Sequence, residues 1–150
     1  MRALIQRVKR AEVIINNKDR RLISKGLLIF IGIENEDSEK DIEWLSAKIS
    51  KLRIFDDREG VMNNCLIDID GEAMVISQFT LYAKTKKGSR PSYIRAAKPE
   101  ISIPIYEKFL ENLSNKIGRR VVSGEFGAHM DVELINDGPI SIWIDTKNKE

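Results

Sequence analysis

The sequence is poor in the residues that build disulfides and metal sites: one cysteine, Cys65, and one histidine, His129, stand among 150 residues. A lone thiol excludes an internal disulfide and suits a reducing compartment. One cysteine and one histidine argue against a zinc site built from this chain, and no motif calls for a cofactor. Long apolar runs are missing too. No stretch approaches the roughly 20 residues of a membrane span, and the opening "MRALIQRVKR" lacks the apolar centre of a signal peptide. The expectation is a cytoplasmic protein with no membrane partner. Charge is nearly balanced at +2, so its sum points to no class of partner. Repeats, linkers and low-complexity tracts are absent, which favours one domain over residues 1–150.

What is present is a hydrophobic content of 42% beside 32% charged residues, the balance of a globular chain large enough to bury a core. "ALIQRV" and "AEVIIN" read as strands, and "GLLIFIGI" is an unbroken apolar run suited to a strand buried on both faces. Ser38 can cap a helix whose Ile42, Leu45, Ile49 and Leu52 recur at helical spacing. "LRIFDD" looks extended, and "EAMVISQFTLYA" is the strongest strand signal in the chain. A second helix carries Ile105, Phe109, Leu113 and Ile117, with Pro104 in or near its first turn and Gly118 as its stop. Short strands follow at "RRVVSG", "MDVELIN" and "ISIWID". The predicted fold is a mixed α/β domain built on sheet with two packed helices; so few helices disfavour a parallel doubly wound fold.

Three segments hold polarity that the fold alone does not require. Strand alternation in "MVISQFTLYAK" places Gln78 and Thr80 on one face and Ser77 and Phe79 on the other, with polarity beginning abruptly at Ser77. Either these groups bond to neighbouring backbone at a strand end, or they line a site whose backbone NH groups can receive a developing oxyanion. A Ser/His/Asp triad would have to recruit His129, which has no partner at a recognisable spacing. "AKTKKGSRPSYIRAAK" carries Lys84, Lys86, Lys87, Arg90, Arg95 and Lys98 without an acidic residue. It is either a solvated loop or a phosphate-contacting surface. "NDGP", Asn136 to Pro139, reads first as a plain turn between two strands.

Taken in order, "RALIQRV", "LRIFDD", "VISQFTLYA", "KGSRPSY", "FGAHM" and "NDGPISIWID" closely resemble the D-aminoacyl-tRNA deacylase (D-tyrosyl-tRNA deacylase) family over nearly the whole chain. The resemblance implies a largely antiparallel, barrel-like mixed sheet with two packed helices, assembled as a homodimer. It implies hydrolysis of the ester that joins a D-amino acid, or glycine mischarged on the tRNA for alanine, to the terminal adenosine. Ser77, Gln78, Phe79 and Thr80 match the motif that lines the site. Thr80 has no base spaced to activate it as a covalent nucleophile, and the resemblance implies that the substrate's own 2′-hydroxyl assists water instead.

Gly138 and Pro139 match a cis Gly-Pro segment that reaches into the neighbouring subunit's pocket and excludes L side chains by bulk. Phe126 and Met130 match pocket-lining positions, and Arg7 matches an arginine that braces Gly-Pro. Ile140 and Ser141 depart conservatively from the more usual Val-Thr. On this reading Lys84, Lys86, Lys87 and Arg90 face tRNA. A non-catalytic RNA-binding module and a covalent esterase using Thr80 or Ser77 stay open beside it.

Overall fold

The structure, a computed structural model, describes residues 1–150. Its longest pairing is made by the two ends of the chain. β1 (Arg2–Ile15) runs antiparallel to β8 (Met130–Asp145). The two strands expected in residues 3–16 are one, because the ladder with β8 continues past Lys9 and Arg10 through a register shift. That shift changes the core the strand faces. Ala3 and Ile5 enter one apolar cluster, and Val8, Ala11, Val13 and Ile15 enter another.

On its other side β1 pairs antiparallel with β2 (Asp19–Ile23) and β3 (Gly26–Gly32). β3 pairs parallel with β6 (Glu72–Ser77), and β6 pairs parallel with β7 (Val122–Ser123). A separate pair, β4 (Phe55–Asp56) and β5 (Met62–Asn64), is all that forms around "LRIFDD", and "RRVVSG" shrinks to β7. The main sheet is mixed and nearly closed. Arg21 of β2 spans its open seam, donating from Nη1 to the carbonyls of Ser123 (2.7 Å) and Gly124 (3.3 Å).

β3 and β6 are the centre of the sheet and are buried on both faces, as their apolar runs require. Leu27, Ile29, Ile31, Ala73 and Val75 point to the helices, whereas Leu28, Met74 and Ile76 point to the second cluster. The two strands approach so closely at Gly26 that a Cβ there would lie 1.8 Å from the Glu72 carbonyl oxygen.

α1 (Glu39–Ser50) and α2 (Pro99–Ile117) cover one face. α1 buries Ile42, Leu45 and Ile49, and α2 buries Tyr106, Phe109 and Leu113. α2 starts earlier than expected, at Pro99, so Pro104 lies inside it; the extended Lys98 and the fixed φ of Pro99 set that start. Gly118 ends it in the left-handed conformation at φ 71°. Asp41 ties α1 to the chain end. Its Oδ2 accepts from the Ser38 NH, the Ser38 Oγ and Lys147 Nζ, each at 2.9 Å, and its Oδ1 accepts from Thr146 Oγ1 at 2.6 Å.

Two outcomes follow from these contacts. Gly26→Ala should lower stability by at least about 1–3 kcal/mol, because backbone must move to admit the methyl group; the urea midpoint measures it. Burial pushes the Asp41 carboxyl up, but its hydrogen bonds outweigh this and hold it well below the usual range. Its contribution is therefore complete above the unfolded carboxylate pKa of about 3.9 and is lost as pH falls below that value. Asp41→Asn should be less stable than the parent near neutrality, with a shallower loss of Tm below about pH 4.

Candidate functional site

The parallel ladder of β3 and β6 ends at Ile31 and Ser77, and one further bond, Gln78 NH to the Ile31 carbonyl at 2.7 Å, closes it. The strand expected to run through Leu81 then stops. Residues Phe79–Tyr82 coil into a 3-10 turn that lies over the end of β3, where Gly32 leaves room for Leu81 and Tyr82. Gln78 and Thr80 consequently do not share a strand face. They meet across the turn instead, with Gln78 Nε2 donating to Thr80 Oγ1 at 2.5 Å. The NH groups of Phe79 and Thr80 open the turn, where a helical ladder supplies its first donors with no partner of its own, whereas that of Gln78 is used by the Ile31 carbonyl.

Beside this turn lies a cleft of about 290 Å³. Ser77, Gln78 and Phe79 form one wall, and Phe126 and Met130 belong to the segment that forms the other. Phe126 packs edge-on against Tyr106, with ring centroids 6.0 Å apart. The Tyr106 hydroxyl donates to the Val75 carbonyl at 2.7 Å, and burial keeps that phenol protonated. Gly124 lets the segment close on Met130, since a Cβ at Gly124 would come within 2.4 Å of the Met130 sulfur. Thr80 is not among the lining residues.

His129 also lines the cleft, but its imidazole is exposed and lies 3.5 Å from the Asp131 carboxylate, with no hydrogen bond to Ser77 or Thr80. A triad is not assembled. Sequence reasoning missed Ile31, Ile33, Ala97 and Ser102 as lining residues; three are apolar and looked like core, and Ser102 is buried with its hydroxyl on the Lys98 carbonyl.

Gly138 and Pro139 lie elsewhere. Asn136 to Pro139 is no turn between separate strands: β8 continues through it, and Asp137, Gly138, Pro139 and Ile140 together stand opposite the single residue Arg7. Four residues against one force the segment out of the sheet as a bulge. Asn136 closes its base, accepting from the Ile140 NH at 2.7 Å and donating to the Ile140 carbonyl at 3.1 Å. Arg7 is buried beneath it, donating from Nε to the Asp137 carbonyl (2.9 Å) and from Nη1 to the Ile54 carbonyl (2.7 Å). The Gly138–Pro139 bond is cis, and both residues are exposed. Neither lines the cleft of its own chain.

Known proteins resemble the chain over nearly its whole length. The family described as D-Tyr-tRNA(Tyr) deacylase matches residues 4–145. The chain belongs to this family. A D-aminoacyl-tRNA deacylase of Bacteroides fragilis is 59% identical, and one of Flavobacterium psychrophilum 57% identical, each over 100% of both chains. A solved structure titled c-Myc DNA Unwinding Element Binding Protein is 34% identical and superposes with a TM-score of 0.89 over 97% of this chain and 99% of its own. Another, titled as a probable eukaryotic D-amino acid tRNA deacylase, has a TM-score of 0.83 at 16% identity, covers 95% of this chain and 97% of its own, and shows the shared fold.

In this deacylase-family chain the 3-10 turn is held by a clamp outside the cleft. Tyr82, buried at its end, lies under two guanidinium groups: Arg2 at 4.5 Å and Arg95 at 5.3 Å from the ring centre. Its hydroxyl donates to Glu34 Oε1 at 3.2 Å, and Arg95 Nη2 donates to Glu34 Oε2 at 2.9 Å. Arg2 Nη1 donates to the Leu81 carbonyl at 3.0 Å. Burial and the Asp37, Glu34 and Asp145 carboxylates push the phenol far up, so it stays a donor.

Arg95 is thereby committed to Glu34. Lys84, Lys86, Lys87 and Arg90 are exposed and form no ion pair. Removing the hydroxyl alone in Tyr82→Phe should cost about 1 kcal/mol, and Tyr82→Ala about 3–5 kcal/mol. Urea unfolding of the two variants measures the difference; equal losses would mean the hydroxyl, not the ring, carries the clamp.

Proposed function

We propose that the protein hydrolyses the ester of D-aminoacyl-tRNA and releases the free D-amino acid and tRNA. The observation that carries this reading is a 3-10 turn that opens with the NH groups of Phe79 and Thr80 beside a cleft walled by Ser77–Gln78–Phe79 and Phe126–Met130, in a chain of this family. The ester carbonyl sits against the turn. Water attacks its carbon, and the oxygen that gains charge is received by those NH groups. The ribose 3′-oxygen leaves and takes up a proton, and the adjacent 2′-hydroxyl of the substrate orients the water. An aminoacyl ester is reactive enough for placement and electrostatics to suffice. Thr80 serves by holding the turn through Gln78 rather than as a covalent nucleophile, since no base adjoins it.

The chiral filter in this reading is the main chain at Gly138 and Pro139, braced by Arg7 and presented to a second copy of the chain. Its exposure, its buried guanidinium support and its separation from the cleft of its own chain favour that role. The outer edge of β8 pairs with no strand and displays Ile135 and Trp143, which favours a homodimer. Exclusion by bulk needs no particular D side chain, and it lets glycyl-tRNA through. Lys84, Lys86, Lys87 and Arg90 contact tRNA phosphates, and the enzyme works in the cytoplasm, where its substrate is made.

D-Tyr-tRNA should be cleaved at least ~100-fold faster than L-Tyr-tRNA, or ~2.7 kcal/mol in barrier height. Single-turnover release of tyrosine measures the ratio, and equal rates would end the reading. Thr80→Ala should retain turnover without an acyl-enzyme; abolished turnover in that variant together with a trapped acyl intermediate in the parent would favour the covalent route. Salt-dependent tRNA binding with no cleavage of either isomer would favour a binding module.

A further inference from the structure

Phe79, on the wall of the cleft, meets Tyr93, whose chain neighbour Ile94 is among the most exposed large apolar side chains of the protein. Phe79 is 55% exposed, Tyr93 37% and Ile94 79%. Phe79 and Tyr93 contact edge to face, with centroids 5.0 Å apart and planes at 77°. Such a pair uses one face of one ring and leaves other ring faces open to a third group. The group is held firmly. On one side Lys84 and Ser92 exchange both backbone hydrogen bonds, at 2.8 and 3.0 Å. On the other, Arg95 is paired with Glu34, Ala96 bridges to Glu34, and the Ala97 NH donates to the Ile33 carbonyl at 2.9 Å. Tyr93 and Ile94 are thus displayed between two anchors, on a tight turn closed by the Ala96 NH on the Tyr93 carbonyl.

We infer that Phe79, Tyr93 and Ile94 form a stacking shelf for the unpaired nucleotides that precede the terminal adenosine of the tRNA. The inference rests on the deacylase reading and deepens it. Its occupant follows from what lies on either side. Phe79 is shared with the cleft that takes the ester. The Lys84–Ser92 bridge closes the loop that carries Lys86, Lys87 and Arg90, exposed and without acidic neighbours in sequence. A chain of contacts therefore runs from ester pocket to aromatic surface to cationic loop, which is the order of aminoacyl ester, unpaired bases and stem phosphates along the substrate. Aromatic faces flanked by positive charge bind single-stranded nucleic acid with little base preference. That tolerance suits an enzyme acting on many tRNAs that share one end.

Three D-tyrosyl esters separate the shelf from the pocket: those of adenosine, of the trinucleotide CCA and of full tRNA. Tyr93→Ala and Ile94→Ser should leave cleavage of the adenosine ester unchanged. On CCA and tRNA, kcat/KM should fall roughly 5- to 160-fold, the range that base stacking carries. Tyr93→Phe should restore the Tyr93 loss. Equal kcat/KM for parent and variants on all three esters would overturn the shelf. So would an equal fall on all three, since the side chains would then act only by propping Phe79. A parent enzyme that cleaves none of the esters would instead bring down the deacylase reading itself.

Discussion

The parallel pairing of β3 with β6 governs what the rest of the molecule can do. It runs from the close approach at Gly26 to the last rung at Gln78 and Ile31, and its residues are buried apart from Phe30 and the end positions Glu72 and Ser77. Beyond that rung the chain leaves the ladder and turns across Gly32, with the NH groups of Phe79 and Thr80 at the start of the turn. The donors are placed by rigid ladder on one side and by the Tyr82 clamp on the other. Preorganisation of this kind is what lets main-chain NH groups act on a charge that forms only in the transition state.

The second organising feature is the mismatch between β1 and β8. Long antiparallel strands leave no room for four residues opposite one unless they leave the sheet. The bulge is stiff because its base is closed by Asn136 and its underside is filled by Arg7, whose buried charge is matched by the Ile54 and Asp137 carbonyls and lies near Asp56. Such bracing suits the shape filter proposed for Gly138 and Pro139, since a mobile barrier would yield to the wrong isomer. On the proposed reading, a second copy of the chain brings cleft and bulge together as a single site.

Much of the architecture was legible in the sequence. The 3.6-residue periods of α1 and α2, the Gly118 stop and the double burial of "GLLIFIGI" are local consequences of side-chain pattern, although α1 ends at Ser50, short of the Leu52 that the pattern included, and α2 starts earlier, at Pro99. Boundaries were less legible. Lys9 and Arg10 look like a break, yet β1 passes through them because β8 supplies partners. "SQFTLY" looks like strand, yet it coils because β3 ends and Gly32 offers space.

The identity of the motifs could be read from residue order, and so could the clustering of basic residues near Lys84. No local pattern could tell that Gln78 would face Thr80 across a turn, that Arg95 would be spent on Glu34 while Lys86 stays free, or that Tyr93 would meet Phe79. By itself the sequence determined where the two helices and the buried central strands lie and which segments are polar, since those depend on neighbours two to four residues away. Tertiary structure alone decided where the chain leaves the ladder and which side chains stay exposed, because both depend on partners brought from distant parts of the chain.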